Sequence, residues 1–155
     1  MTFGLHHIGL TTRSLASALE FYSSNFSMEI LRQGKIDDSL TQVRNVFQID
    51  QFNALTAIGR IGNTYLEFFE FLEPTPESPQ YSKPEISRLG FCHLCLQTHD
   101  VWGDYERLQG KIPFHSPPIT MPNGVKLVYG RDPDQNIIEL IEIAEGIDFP
   151  SLLTP

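Results

Sequence analysis

Hydrophobic and polar positions follow two periodicities near the start of the chain. Residues 5–12 alternate as a short strand would. In the next stretch, four apolar residues recur at helical spacing: Leu15, Ala18, Leu19 and Tyr22. Ser14 stands directly before them, where its side chain can cap the first turn. The pattern predicts a strand that leads into an amphipathic helix over residues 14–24.

The same order of elements returns in the second half of the chain. Residues 90–98 are a second strand candidate, and residues 100–108 are a second helix candidate. When His7 is aligned with His93, Ser14 falls on Asp100, so both helices receive a residue that can cap them. The sequence therefore indicates an internal duplication.

The ends of the two copies also match. Residues 66–71 and 138–143 share the order apolar, Glu, apolar, apolar, Glu, apolar. Each segment follows a turn signal, and each turn follows another β-like run, at residues 53–58 and 125–129. The prediction is an α+β fold of two βαβββ modules.

We expect one domain over residues 1–155. Module one spans about residues 5–72, a Pro-rich linker residues 73–87, module two about residues 88–143, and a tail residues 144–155. The first copy is longer by an insertion around residues 37–51, whose apolar residues predict a short helix. The tail could lie against the body or against a partner chain.

Composition narrows the class of protein. The 155 residues are 41% hydrophobic and 19% charged without a biased tract, as expected for a globular chain. A net charge of −8 disfavours nucleic acid and anionic membrane surfaces as partners. The N-terminus lacks the features of a secretory signal, and the two cysteines are expected to be reduced, so a cytoplasmic location is predicted.

Side chains alternate along a strand, and this sorts the polar residues onto faces. Apolar residues such as Leu66 and Phe68 should meet the helix of their module. Four polar residues then share the opposite face at repeat-equivalent positions: His7, Glu67, His93 and Glu139. If the sheets curl toward each other, the four could hold one divalent ion, with Zn, Ni, Co, Fe and Mn as candidates. The alternative is two ordinary sheet histidines and two solvent-facing carboxylates.

Several residues share the parity of these four and are candidate substrate contacts. They are Thr11, Tyr65, Phe69, Phe71, Cys95 and Ile141. Cys92 and Cys95 have opposite parity, so a redox or zinc site built on their C-x-x-C spacing is not expected. His6, His99 and His115 are expected at the surface or behind the site.

The chain resembles the vicinal oxygen chelate superfamily, which includes glyoxalases, epimerases, extradiol dioxygenases and bleomycin resistance proteins. The residues that carry the resemblance are His7-Ile-Gly-Leu, Phe21-Tyr22, Leu66-Glu-Phe68, Cys92-His-Leu94 and Asp132-Pro-Asp-Gln-Asn-Ile-Ile-Glu-Leu140. It implies a cup-shaped half-barrel of mixed sheet with the helices outside. It also implies a metal held by His7, Glu67, His93 and Glu139, as in bacterial lactoylglutathione lyases.

The resemblance implies a metal-dependent lyase or isomerase that acts on a small molecule with two neighbouring oxygens. Glu67 or Glu139 would remove the α-proton, and the repeat symmetry leaves both open. Thr11 stands where lactoylglutathione lyases carry an Arg for glutathione, which favours a smaller, largely apolar substrate. We expect a homodimer, in which the modules pair either within one chain or between two.

Two other activities fit the same resemblance. An extradiol dioxygenase would use His7, His93 and Glu139, and Tyr129 matches the spacing of a tyrosine in those enzymes. A resistance-type protein would sequester its ligand without a metal.

Overall fold

A computed structural model describes residues 2, 4–76, 84–87 and 89–152. The chain forms two compact units, residues 1–80 and 81–155. The middle of the predicted linker, residues 77–83, lies outside the described residues. Among the described residues, no helix is long and apolar enough to cross a membrane.

The first unit contains a four-stranded mixed sheet. Its elements are β1 (His7–Thr11), α1 (Leu15–Phe26), β2 (Glu29–Asp37), α2 (Thr41–Phe47), β3 (Asn53–Ile61) and β4 (Thr64–Glu73). The strand order is β1-β4-β3-β2, in which β1 runs parallel to β4 and the other neighbours are antiparallel. The predicted insertion helix is α2.

The second unit repeats this topology. Its elements are β5 (Leu94–Thr98), α3 (Val101–Leu108), β6 (Ile119–Thr120), β7 (Lys126–Arg131) and β8 (Ile137–Glu142). The order β5-β8-β7-β6 matches the first sheet strand for strand, again with the first and last strands parallel. The prediction of an α+β fold with two βαβββ modules is confirmed, and neither sheet closes into a barrel.

Alternation along the strands places the core of the first unit between α1 and its sheet. Leu66 and Phe68 are buried, and the ring of Phe68 lies 5.5 Å from that of Tyr22 on α1. Glu67 and Phe69 alternate with them along β4 and are only half-buried. We call the sheet surface opposite α1 in the first unit, and the surface opposite the equivalent helix in the second unit, the site face.

Helices α1 and α3 begin with the predicted capping residues. The side chain of Ser14 accepts a hydrogen bond from the Ser17 N–H, and Asp100 accepts one from the Gly103 N–H. In addition, a glutamate carboxylate from the last strand of its module reaches the start of each of these helices. Glu70 Oε2 accepts from the Leu15 N–H at 2.6 Å, and Glu142 Oε2 accepts from the Val101 N–H at 3.0 Å. These two glutamates therefore satisfy backbone groups that the helix itself leaves free.

Glu142 should contribute to stability in a pH-dependent way. Burial raises the pKa of this carboxyl, but hydrogen bonds from Lys126 (2.6 Å) and Val101, with the Lys126 charge, bring it below its ordinary 4.5. We expect Glu142→Gln to lower the free energy of unfolding by about 1–2 kcal/mol at neutral pH.

Because the folded-state pKa is depressed, this contribution is present above the unfolded pKa of 4.5 and disappears as pH falls through the folded value. Urea unfolding across a pH series measures it, with Glu106→Gln on the exposed side of α3 as the control. A difference between wild type and Glu142→Gln that grows as pH falls would contradict the assignment.

Candidate functional site

The first unit brings His7 and Glu67 together on its site face. In the parallel pairing of β1 with β4, His7 lies opposite Tyr65 and Gly9 lies opposite Glu67. The side chains converge diagonally, so His7 Nε2 is 3.2 Å from Glu67 Oε2. Both remain partly accessible, with 42% and 34% of their side-chain surfaces exposed. The imidazole Nε2 of His7 and the carboxylate oxygen of Glu67 thus point toward each other.

The second unit forms the equivalent pair from His93 and Glu139. His93 Nε2 lies 2.9 Å from Glu139 Oε2, and Cys95 stands opposite Glu139 in the register of β5 with β8. The pair is less accessible than the first: 25% of the side-chain surface of His93 and 7% of that of Glu139 are exposed. The predicted strand was expected to start at Gly90, but β5 begins at Leu94, so His93 directly precedes it.

Each unit therefore holds one His–Glu pair at the position that the internal repeat predicts. Within either unit, the described part of the chain brings no third His, Cys, Asp or Glu into a group that could hold a metal. The joint four-residue metal site stays a prediction.

Tyr129 and Cys95 border the carboxylate of Glu139. Tyr129 lies opposite Glu139 in the β7–β8 register, and its ring meets that of His93 edge-on at 5.5 Å. Desolvation, with the charge and hydrogen bonding of Glu139, raises the pKa of Tyr129 to about 12. The same causes raise the pKa of Cys95 to about 12. Both groups therefore stay protonated at neutral pH beside a carboxylate.

The residue before each histidine contacts its second ring nitrogen. Nδ1 of His6 lies 2.9 Å from Nδ1 of His7, and Sγ of Cys92 lies 3.1 Å from Nδ1 of His93. His6 lies one residue before β1 and Cys92 two residues before β5, so strand alternation does not fix the direction of either side chain. The contacts orient each imidazole with Nε2 toward its glutamate.

Aromatic side chains line the site face of the first unit beyond Glu67. Phe69 and Phe71 stack at 6.0 Å, and Phe47 of α2 packs against them at 5.8 and 6.4 Å. Tyr65, on the other side of Glu67, stacks against His6 at 5.1 Å. Thr11 ends β1 opposite Phe69 and is exposed. The role of these residues as substrate contacts stays a prediction.

The C-terminal tail covers part of the site face of the second unit. Ile141 belongs to a buried cluster with Val125 and Ile143, and Ile147 of the tail packs against this cluster. Gln97 clamps the tail further along, since its side chain donates to Ser151 Oγ at 2.6 Å and accepts from the Leu152 N–H at 2.7 Å. The tail therefore lies on its own module through residue 152.

His115 is exposed and contacts Tyr129 and Arg131. Its Nε2 accepts a hydrogen bond from Arg131 Nε at 3.1 Å, and its ring stacks on Tyr129 at 6.5 Å. Arg131 is itself buried, and its guanidinium also donates to the carbonyl of Gln135. His115 therefore contacts the same tyrosine ring that His93 contacts.

The profile of the Glyoxalase/Bleomycin resistance protein/Dioxygenase superfamily matches residues 4–140. The chain belongs to this superfamily. The match covers both modules of this glyoxalase-superfamily protein, and with them both His–Glu pairs. A search of curated proteins finds no significant match to the sequence.

Solved structures with the same fold belong to proteins of low sequence identity. A glyoxalase family protein from Bacillus cereus has a TM-score of 0.81 at 16% identity, over 92% of this chain and 95% of that chain. Lactoylglutathione lyase from Agrobacterium tumefaciens has a TM-score of 0.58 at 22% identity, over 91% and 94%. At such identities the likeness establishes the fold alone.

Proposed function

We propose that this protein is a metal-dependent lyase or isomerase of glyoxalase or epimerase type. The observation that carries the proposal is the repeated pair, in which an imidazole Nε2 faces a glutamate oxygen at 3.2 Å in one unit and 2.9 Å in the other. Membership of the superfamily supports it. The substrate would be a small molecule with two neighbouring oxygens.

The residues fit a divalent ion by their chemistry. Two imidazoles and two carboxylates are donors that Zn, Ni, Co, Fe and Mn accept. Glu139 is nearly buried beside two groups that stay protonated, and a buried carboxylate is costly unless a cation or strong donors compensate it. We propose His7, Glu67, His93 and Glu139 as the ligands of one ion, supplied by one chain or by two chains of a homodimer.

When bound, a divalent ion supplies Lewis acidity that favours loss of a proton next to a carbonyl. Removal of the proton also requires a basic side chain of the protein. Glu139 is confined by His93, Tyr129 and Cys95, whereas His7 is the one polar side chain among the described residues that contacts the carboxylate of Glu67. We therefore assign proton transfer to Glu67, which has room to reach a substrate carbon and to return the proton to its neighbour.

The test measures deuterium exchange into 2-hydroxyacetophenone, an enolisable α-hydroxyketone with an apolar ring. Exchange should require a divalent metal, stop after chelation and return on reconstitution, because the unaided carboxylate is too weak a base. Glu67→Gln should lower the exchange rate by about 100-fold or more, in the range of a lost general base, and Glu106→Gln should not.

Other results would favour other activities. Oxygen consumption with catechols would indicate an extradiol dioxygenase that uses His7, His93 and Glu139. Tight ligand binding by a protein purified without metal, with no exchange, would indicate a sequestering protein. Either result would contradict the proposed lyase or isomerase.

A further inference from the structure

The short helix α2 has one side that faces the sheet. Three of its residues are half-buried, Val43, Arg44 and Phe47, whereas the others are exposed. Phe47 packs on Phe69 and Phe71, which places this side of α2 over the site face rather than over the core beneath α1. Arg44 lies one turn before Phe47 and therefore shares that side.

Arg44 has no partner for its charge among the described residues. Its Nε is buried without a hydrogen-bond partner, and within the described ranges no carboxylate forms an ion pair with its guanidinium. The guanidinium cannot lose its proton at physiological pH, so burial of an unpaired Nε–H has a free-energy cost. Buried polar groups are nearly always hydrogen-bonded, so the unpaired Nε–H of Arg44 calls for an explanation, and a bound ligand is one.

A second arginine lies on the same face. Arg32 on β2 pairs with Ile58 on β3, and Ile58 in turn pairs with Glu67, so the three side chains point to one side of the sheet. Arg32 is exposed. Arg44 and Arg32 thus place positive charge on the site face of this unit in a chain whose net charge is −8, which favours an anion at this place.

We propose that Arg44 binds the carboxylate of a small aromatic substrate whose ring lies on Phe69 and Phe71. The planar guanidinium fork suits a carboxylate, and the partly accessible phenyl rings supply a flat apolar surface next to it. Arg32 adds longer-range attraction. The inference rests on the site face used in the proposed function and adds to it the charge of the substrate.

The test is calorimetric titration with benzoate, mandelate and 1-naphthoate, each compared with its neutral amide. Wild type should prefer the carboxylates, and Arg44→Met should weaken their binding by about 10- to 100-fold without changing that of the amides. Arg44→Lys, which keeps the charge without the fork, should recover part of the affinity. Arg107→Met on α3, whose native guanidinium pairs with Asp104 at 2.7 Å, is the matched control.

Titration before and after metal depletion separates this proposal from the proposed function, because the ratio of wild-type to Arg44→Met affinity should be the same in both. If Arg44→Met loses carboxylate binding while the wild type shows no metal-dependent exchange, the arginine site would be supported and the proposed activity would be contradicted. Equal binding by wild type and Arg44→Met, or no preference for carboxylates over amides, would overturn the arginine site. A lower urea midpoint in Arg44→Met with unchanged binding would assign Arg44 to the fold and overturn it as well.

Discussion

Replacement of His93 or Glu139 by alanine is expected to lower the affinity for a divalent ion by about 100-fold or more. Even residues that only support metal ligands cost about 10- to 100-fold when removed, and a direct ligand should cost at least as much. The wild-type protein should bind about one ion per set of four ligands, so we expect elemental analysis after dialysis, with chelator competition, to detect the loss.

His99→Ala provides the control, since His99 is an exposed histidine of the same unit. His7→Ala and Glu67→Ala should reproduce the loss if the two pairs share one ion. Wild-type metal content in His93→Ala and Glu139→Ala would show that the ligand assignment is wrong. Loss confined to the second pair would instead show that His7 and Glu67 do not hold the ion.

We expect slow or no turnover of the hemithioacetal of methylglyoxal and glutathione. Thr11 is exposed at the end of β1, and its hydroxyl cannot form the bidentate contact that an Arg makes with a glutathione carboxylate. Loss of that contact alone would lower turnover by about 10- to 100-fold. The net charge of −8 further disfavours a multiply charged adduct.

Steady-state kinetics with the hemithioacetal check this expectation, and Thr11→Arg is the informative variant because it should raise kcat/KM for the adduct. Efficient lyase kinetics in the wild type would overturn the specificity while leaving the metal site intact. Absence of exchange into any enolisable compound of a broad panel would count against proton transfer itself.

Much of the fold follows from the periodicities in the sequence. The alternation that separates Leu66 and Phe68 from Glu67 and Phe69 appears in the structure as core on one side and site face on the other. The repeated caps Ser14 and Asp100 start their helices as predicted. These features depend on local chemistry and strand geometry, which the order of residues specifies directly.

Other features depend on where a chain segment comes to lie, and the sequence pattern carries no such information. The contacts of His6 and Cys92 with the neighbouring imidazoles do not follow from alternation, because both residues precede their strands. Gln97 has the strand parity of Cys95, but nothing in the neighbouring sequence indicates that it binds the tail at Ser151 and Leu152. The position of Arg44 against the sheet depends on Phe47, which packs on residues more than twenty positions away.

Glu67 and Glu70 of β4 limit how the sequence of this strand can change during evolution. Glu67 faces His7, and Glu70, three residues on, binds the start of α1 from the other side of the strand. An insertion or deletion of one residue that slides the strand would move both carboxylates to the wrong face at once. The helix would then lose the carboxylate that accepts from the Leu15 N–H, the candidate site would lose Glu67, and the core would receive charge. We therefore expect length changes within this strand to impair folding as well as the candidate site, so that single substitutions and changes in flanking segments are the open routes to new chemistry.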